Sequence, residues 1–332
     1  MYKLAIVGAT GLVGRKVLQI LEDKHLPLYE YGLFSSSKSA GTVIHFKGKD
    51  YVVQELTETS FVETHYDFAI FSAGGSTALK FAPIAADHGC VVIDNSSAFR
   101  MDKKVPLVVP EVNPEDISLH HGILANPNCS TIQAVLPLKV LQEHYGIQRI
   151  VYSTYQAVSG AGLGGIQDLE NGIKGLRNQK FPHPIFNNCL PHIDVFLENG
   201  YTKEEEKMIH ETRKILHIPH LPVTATCVRV PVFNCHSESI NVTLEHDFKL
   251  EELVQYLRDF PHIKVLDHPE AYIYPLASQC SGCDDVFVGR IRRDTSTPYG
   301  VNLWVVADNI RKGAATNAVQ IAIKLIELKE NN

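Results

Sequence analysis

Lys3-Leu4-Ala5-Ile6-Val7-Gly8-Ala9-Thr10-Gly11-Leu12-Val13-Gly14 decides how the first half of the chain is read. An apolar run stops at a glycine, two more glycines follow at intervals of three, and Val17, Leu18 and Leu21 continue at helical spacing. The run predicts a short buried strand and the continuation an amphipathic helix. Strand, glycine turn and helix together offer open backbone N–H groups to a pyrophosphate. The glycines let the backbone approach, and the helix N-terminus supplies donors and the positive end of its dipole. The spacing is G-x-x-G-x-x-G rather than G-x-G-x-x-G, and its position after an N-terminal strand strengthens the reading.

A second strand is expected to end near Leu33-Phe34, where NAD-binding chains carry a carboxylate for the ribose 2′-hydroxyl. Here Ser35-Ser36-Ser37-Lys38-Ser39-Ala40-Gly41 follows instead. Hydroxyls and a cation suit a 2′-phosphate, which favours NADP. Asp67-Phe68-Ala69-Ile70-Phe71-Ser72 reads as a further strand, with a helix over 77–88 and a strand over 91–93. Residues 1 to about 125 therefore predict a parallel, doubly wound sheet. Arg100, in the polar loop after that strand, is a candidate anion clamp, although an arginine in such a loop is more often a surface residue.

The second informative stretch is Ala125-Asn126-Pro127-Asn128-Cys129-Ser130-Thr131. A short strand stops at the proline, and a helical pattern begins at Ser130 or Thr131. Cys129 is thereby expected at or beside a helix N-terminus, where the dipole favours a thiolate able to act as a nucleophile.

Composition narrows the function classes. The 332 residues allow two domains, and 31 basic against 37 acidic residues give a formal charge of −6. That balance argues against nucleic-acid or membrane-surface partners. No apolar run approaches a membrane span, no signal pattern precedes the first strand, and a cytoplasmic protein is expected. Seven cysteines at irregular spacing fit a reducing compartment rather than a disulfide framework. Cys280-Ser281-Gly282-Cys283 is a lone C-x-x-C with no second pair, so it reads as a local turn with two free thiols, and no metal is expected.

Beyond the cysteine helix the rhythm changes. Alternating segments at 148–158, 224–232, 239–246, 285–293 and 301–308 predict a mixed or antiparallel sheet in a second domain. Between them a charged helix over 203–216 places Glu204 and Lys207 on one face, by spacing alone a weak surface ion pair. A last helix, 312–328, is expected to return to the first domain.

Taken together, several stretches resemble the aspartate-semialdehyde dehydrogenase family: residues 8–14, 71–75, 94–100, 125–131, 153–162 and 227–232, His236-Ser237-Glu238 and 308–315. They span nearly the whole chain in the family's order. The resemblance implies an N-terminal Rossmann-type dinucleotide-binding domain plus an α+β catalytic and dimerisation domain with a large mixed sheet. The domains are expected at 1–127 with 310–332, and at 128–309. It implies reversible NADPH-dependent reductive dephosphorylation of L-4-aspartyl phosphate to L-aspartate 4-semialdehyde in a homodimer, for synthesis of lysine, threonine, methionine and isoleucine. Carried over, Cys129 is the nucleophile, His236 the general acid/base, and Gln156 orients the acyl group. Arg229 would grip the α-carboxylate and Glu204 the α-ammonium, with Arg100, Lys207 and Asn128 at the phosphate. Gly8, Thr10, Gly11, Leu12, Val13, Gly14, Ser36, Lys38, Ser39, Ser159, Gly160 and Asn309 would contact NADP.

Two departures stand out. The family usually has glycine where this chain has Cys235, which would strain the loop if the position needs a positive φ. Lys38 stands where arginine is common and would lose stacking on adenine. The alternatives are an N-acetyl-glutamyl-phosphate reductase, whose cysteine motif usually reads Pro-Gly-Cys-Tyr, and a catalytically inactive dimeric paralogue, which would typically lack the cysteine.

Overall fold

Tyr2–Val7 has no polar face to present to water: Leu4, Ala5, Ile6 and Val7 are buried. Such a strand belongs inside a parallel sheet covered on both sides. In the computed structural model, which describes residues 1–24 and 26–331, it pairs in parallel with Leu28–Ser35 and Phe68–Phe71. Gln54–Glu55, Val91–Asp94 and Ile123–Ala125 complete a six-stranded parallel sheet. By chain order its strands run 3-2-1-4-5-6, the doubly wound arrangement of dinucleotide-binding sheets. The expected fold class is borne out.

Both faces of this sheet are covered. Leu12–Glu22 and Asn317–Glu330 bury Val17, Leu18 and Leu21 together with Val319, Ala322 and Ile326 on one side. Gly75–Asp87 buries Ala78, Ala82 and Ala85 against Ala5, Val7 and Phe71 on the other. A Cβ on Gly14 would lie 2.1 Å from the Gly8 carbonyl oxygen, so the first helix can approach the sheet this closely only with glycine there.

The chain forms two compact units, Met1–Asn128 with Ala314–Asn332, and Cys129–Gly313. The return to the first unit thus falls at 313/314, whereas the sequence reading placed it at 310. Asp308 explains the difference. Its Oδ1 accepts from the Ile310 and Arg311 N–H groups at 2.9 and 3.0 Å, and its carbonyl accepts from Gly313 N–H at 3.0 Å. A turn fastened in this way stays with the strand Gly300–Ala307 before it. The expected single helix over 312–328 is a π-helical turn, Arg311–Thr316, followed by Asn317–Glu330.

The second unit is built on a mixed six-stranded sheet in the order Val223–Arg229, Ile147–Gln156, His236–Leu244, Gly300–Ala307, Val286–Asp294, Ile263–Val265. The first two pair in parallel and the next three antiparallel. Alternation is clear: Ile150, Tyr152, Thr154 and Gln156 are buried, while Tyr155 between them is 38% exposed. The helix Cys129–Tyr145 lies on the buried face and is itself buried nearly all round. It starts at Cys129, one or two residues earlier than the apolar spacing indicates. His236 is the first residue of a strand, and Cys235 turns the chain in a left-handed conformation just before it. No helix among the described residues is long and apolar enough to cross a membrane.

Candidate active site

The second unit gathers Cys129, Gln156, Glu204, Lys207, Arg229 and His236 from five elements. Cys129 is the first residue of its helix and half-buried. A Cβ on Gly313 would lie 2.9 Å from the cysteine Cβ, so the chain passes Cys129 at a residue without a side chain.

His236 is fully buried, and its ring is fixed by the backbone of Ala157, whose N–H donates to Nδ1 at 3.0 Å. A ring nitrogen that accepts carries no hydrogen, so in the neutral imidazole the hydrogen sits on Nε2. Nε2 has no partner among the described residues. Burial, and then the Arg229 guanidinium, hold the ring well below the usual histidine range. His236 is therefore a neutral ring presenting an N–H.

The same residue fixes the arginine: Arg229 Nη1 donates to the Ala157 carbonyl at 2.6 Å. Arg229 is on the buried face of Val223–Arg229, as alternation with Ala225 and Cys227 requires. Its backbone is held by Leu190, with N···O distances of 2.8 and 2.9 Å. Burial lowers its guanidinium while Glu204 and Cys129 raise it, which records the cysteine and the arginine as electrostatic neighbours. Gly160, expected at the cofactor, lies against these groups. A Cβ there would be 2.8 Å from Arg229 Nη1 and 3.1 Å from His236 Cε1.

Glu204 and Lys207 are not the surface pair that spacing suggested. Thr202 and Glu205 form a capping box, and the second oxygen of Glu205 accepts from Cys227 N–H at 3.0 Å, docking the helix start on the sheet. Glu204 is consequently buried, accepting from Gln156 Nε2 at 3.3 Å and from Lys207 Nζ at 3.0 Å. Burial lowers the Lys207 ammonium, but Glu204 and Asp194 more than offset this and hold it above its ordinary value. Ser159 and Asn309 are also brought together, Asn309 Nδ2 donating to Ser159 Oγ at 3.0 Å.

The first unit carries its own site. A cleft of about 580 Å³ lies over the glycine turn, lined by Gly8, Thr10, Gly11, Ser35, Ser36, Ser37 and Ser39. Gly8 has φ +88°, and a Cβ on it would meet Ser72 at 2.9 Å. Gly11 caps the helix without a side-chain hydrogen bond, so no capping side chain competes for the N–H groups of the first turn, the kind of donors that suit a pyrophosphate. The residues present fit a dinucleotide. Lys38 is exposed and outside this lining, whereas Glu55, not foreseen from sequence, is in it. Strand pairing explains its presence: Gln54–Glu55 sets Glu55 beside Ser35 at the strand end.

Arg100 is buried rather than at the surface, donating to the carbonyls of Asn126 and Asn95 at 2.9 and 3.1 Å. Asn128, the last residue of this part of the first unit, is also buried. Sequence reading missed Ala157, whose backbone sets two side chains at once. It also missed Gln133, four residues beyond Cys129, whose Nε2 donates to the His236 carbonyl at 3.2 Å.

Comparison with known proteins gives the class first. Family models for the semialdehyde dehydrogenases match in tandem, the NAD-binding domain over residues 3–120 and the dimerisation domain over 138–312. An aspartate-semialdehyde dehydrogenase of Aquifex aeolicus is 55% identical over 98% of both chains. The crystal structure of aspartate-semialdehyde dehydrogenase II from Vibrio cholerae, in complex with aspartate semialdehyde, is similar with a TM-score of 0.93 at 44% identity, again over 98% of both chains. That of the Candida albicans enzyme with NADP gives 0.80 at 28%, covering both chains fully. The chain belongs to the aspartate-semialdehyde dehydrogenase family.

Proposed function

We propose that this chain catalyses the reversible, NADP-dependent interconversion of L-4-aspartyl phosphate with L-aspartate 4-semialdehyde and phosphate, through a thioester on Cys129, as a homodimer in the cytoplasm. The observation that carries the reading is the double use of Ala157, which sets a carboxylate-binding arginine and a neutral histidine in the unit that holds the cysteine. NADP is supported by the serine-lined cleft and by the NADP-bound relative. A homodimer is supported by the dimerisation-domain match.

In the reductive direction the Cys129 thiolate, favoured by the helix dipole and by the Arg229 charge, attacks the acyl phosphate carbon and expels phosphate. Arg229 takes the substrate α-carboxylate with its fork. Glu204 takes the α-ammonium, and Gln156, held by Glu204, orients the acyl group. Lys207 is a candidate phosphate ligand, as are Arg100 and Asn128 in the first unit. When bound, the reduced nicotinamide supplies the hydride that turns the thioester into a thiohemiacetal oxyanion. His236 Nε2–H donates to that oxygen as its charge develops. The C–S bond then breaks, the oxyanion becomes the aldehyde, and the thiolate is restored without net proton transfer. Because Nδ1 is occupied by Ala157 N–H, His236 acts as a donor to the oxyanion rather than as a base.

The test is nicotinamide reduction followed at its absorbance with aspartate semialdehyde, omitting phosphate in one arm and substituting the N-acetylated glutamate semialdehyde in another. Phosphate-dependent reduction with the first aldehyde alone supports the proposal. Faster turnover of the acetylated substrate would overturn it.

A further inference from the structure

We propose that Cys280, Cys283 and Cys235 form a reversible thiol–disulfide site, in which a Cys280–Cys283 disulfide disturbs His236 through Cys235.

The C-x-x-C stretch is preorganised for the bond. Ser281 has φ −64° and ψ 133°, Gly282 has φ +85°, and Cys283 N–H donates to the Cys280 carbonyl at 3.2 Å. This is a type II turn, which brings its first and fourth Cα atoms within the reach of a disulfide. Side chains fasten the turn to the loop before the histidine. Asn234 Nδ2 donates to Ser281 Oγ at 2.9 Å and to Asp308 Oδ2 at 2.7 Å, and Asp308 Oδ2 also accepts from Gly282 N–H at 2.8 Å.

Cys280 packs with Cys235 and Val306 in a small apolar cluster. Cys235 is fully buried at φ +72°, a backbone conformation that only glycine adopts freely, and its N–H is pinned to Asn309 Oδ1 at 3.0 Å. It is joined covalently to His236. Turn, strained cysteine and histidine are one connected structure, so a change in the Cys280 sulfur is felt at the imidazole.

Entry is through Cys283, which is half-buried, whereas Cys280 and Cys235 are buried. Burial pushes the Cys280 and Cys235 thiols up, so neither initiates the exchange. The oxidant is a low-molecular-weight disulfide. The Cys283 thiolate attacks one of its sulfurs and releases one thiolate, forming a mixed disulfide. The Cys280 sulfur then displaces the second thiolate, and the Cys280 proton leaves with it. The S–S bond of the oxidant is exchanged for one in the protein, and two electrons pass to the oxidant.

The experiment equilibrates the reduced full-length enzyme and its Cys283→Ser variant in glutathione buffers of increasing oxidised fraction. Disulfides are mapped by peptide mass, and kcat is measured before and after adding dithiothreitol. Cys129 is itself oxidisable, so activity lost by both proteins belongs to Cys129 and loss confined to the wild type belongs to the new bond. We expect a mapped Cys280–Cys283 link and a loss about tenfold greater in the wild type, the scale a misplaced catalytic group brings, recovered with dithiothreitol. Cys283→Ala serves if the serine variant does not fold. Absence of the link in the wild type, or equal loss in both proteins, overturns the proposal. The coupling rests on the role given to His236, while the mapped link does not. A link without differential loss therefore rejects the coupling, and absent phosphate-dependent activity in the reduced enzyme rejects the functional reading.

Discussion

Glu238 offers a quantitative test of the electrostatics behind the site. It lies two residues beyond His236 on the same buried face, is fully buried, and has no partner for either oxygen among the described residues. Burial, reinforced by the negative charge of Glu204, holds its carboxyl well above the usual range. In the unfolded chain the group ionises near pH 4.3. Above that pH the folded state binds a proton that the unfolded state has lost. The stabilisation is complete below the unfolded value and is lost as pH rises, by about 1.4 kcal/mol per pH unit, until the folded group itself ionises. Glu238→Gln has no such proton, so its stability relative to wild type should climb with that slope from about pH 5 upward. His236 pulls the raw profile the other way. Its pKa is depressed by burial and Arg229, so its contribution grows as pH rises toward its unfolded value of about 6.5. That contribution is common to both proteins and cancels in the difference. The buried glutamine amide costs a pH-independent offset, which moves the intercept and not the slope. The assay is urea unfolding of both proteins at unit pH steps from 5 to about 8. A flat difference would show that Glu238 is as ionised in the fold as in the open chain, and would refute the reasoning.

Other perturbations address the substrate and cofactor groups. Arg229→Lys replaces a fork with a point charge and should raise KM for the aldehyde by about tenfold or more, with a smaller effect on kcat; steady-state kinetics showing no change would remove the carboxylate assignment. Gly160→Ala puts a carbon 2.8 Å from Arg229 Nη1 and against the His236 ring. Displacing those groups should lower kcat/KM by about tenfold or more while leaving the unfolding free energy from urea titration within about 1 kcal/mol of wild type. Glu55→Gln removes a carboxylate from the lining of the serine cleft, and the ratio of kcat/KM for NADPH over NADH should rise by a factor of about five. An unchanged ratio would mean the carboxylate does not face the ribose.

What was legible in the sequence was local. The strand–glycine–helix unit and the cysteine at a helix start follow from apolar spacing and a breaker residue, and both are where they were read. What was not legible depends on which face meets a neighbour. Spacing puts Glu204 and Lys207 together, but only docking of the Thr202–Glu205 cap onto Cys227 N–H turns them inward. Glu55 reaches the cofactor cleft through the pairing of a two-residue strand that carries almost no periodic signal. The part played by Ala157 is made by its N–H and C=O, which any residue possesses, so its identity signals nothing. Cys235 is intermediate: the missing glycine raises the question of a positive φ, and the answer, +72°, required the backbone.

The most direct measurement is a rapid-mixing experiment with aspartate semialdehyde and NADP in the absence of phosphate, followed by acid quench and peptide mass mapping. A burst of NADPH stoichiometric with active sites, and an aspartyl group on the Cys129 peptide, are predicted, with turnover resuming when phosphate is added. Steady reduction without phosphate, or an acyl group absent from Cys129, would contradict the account.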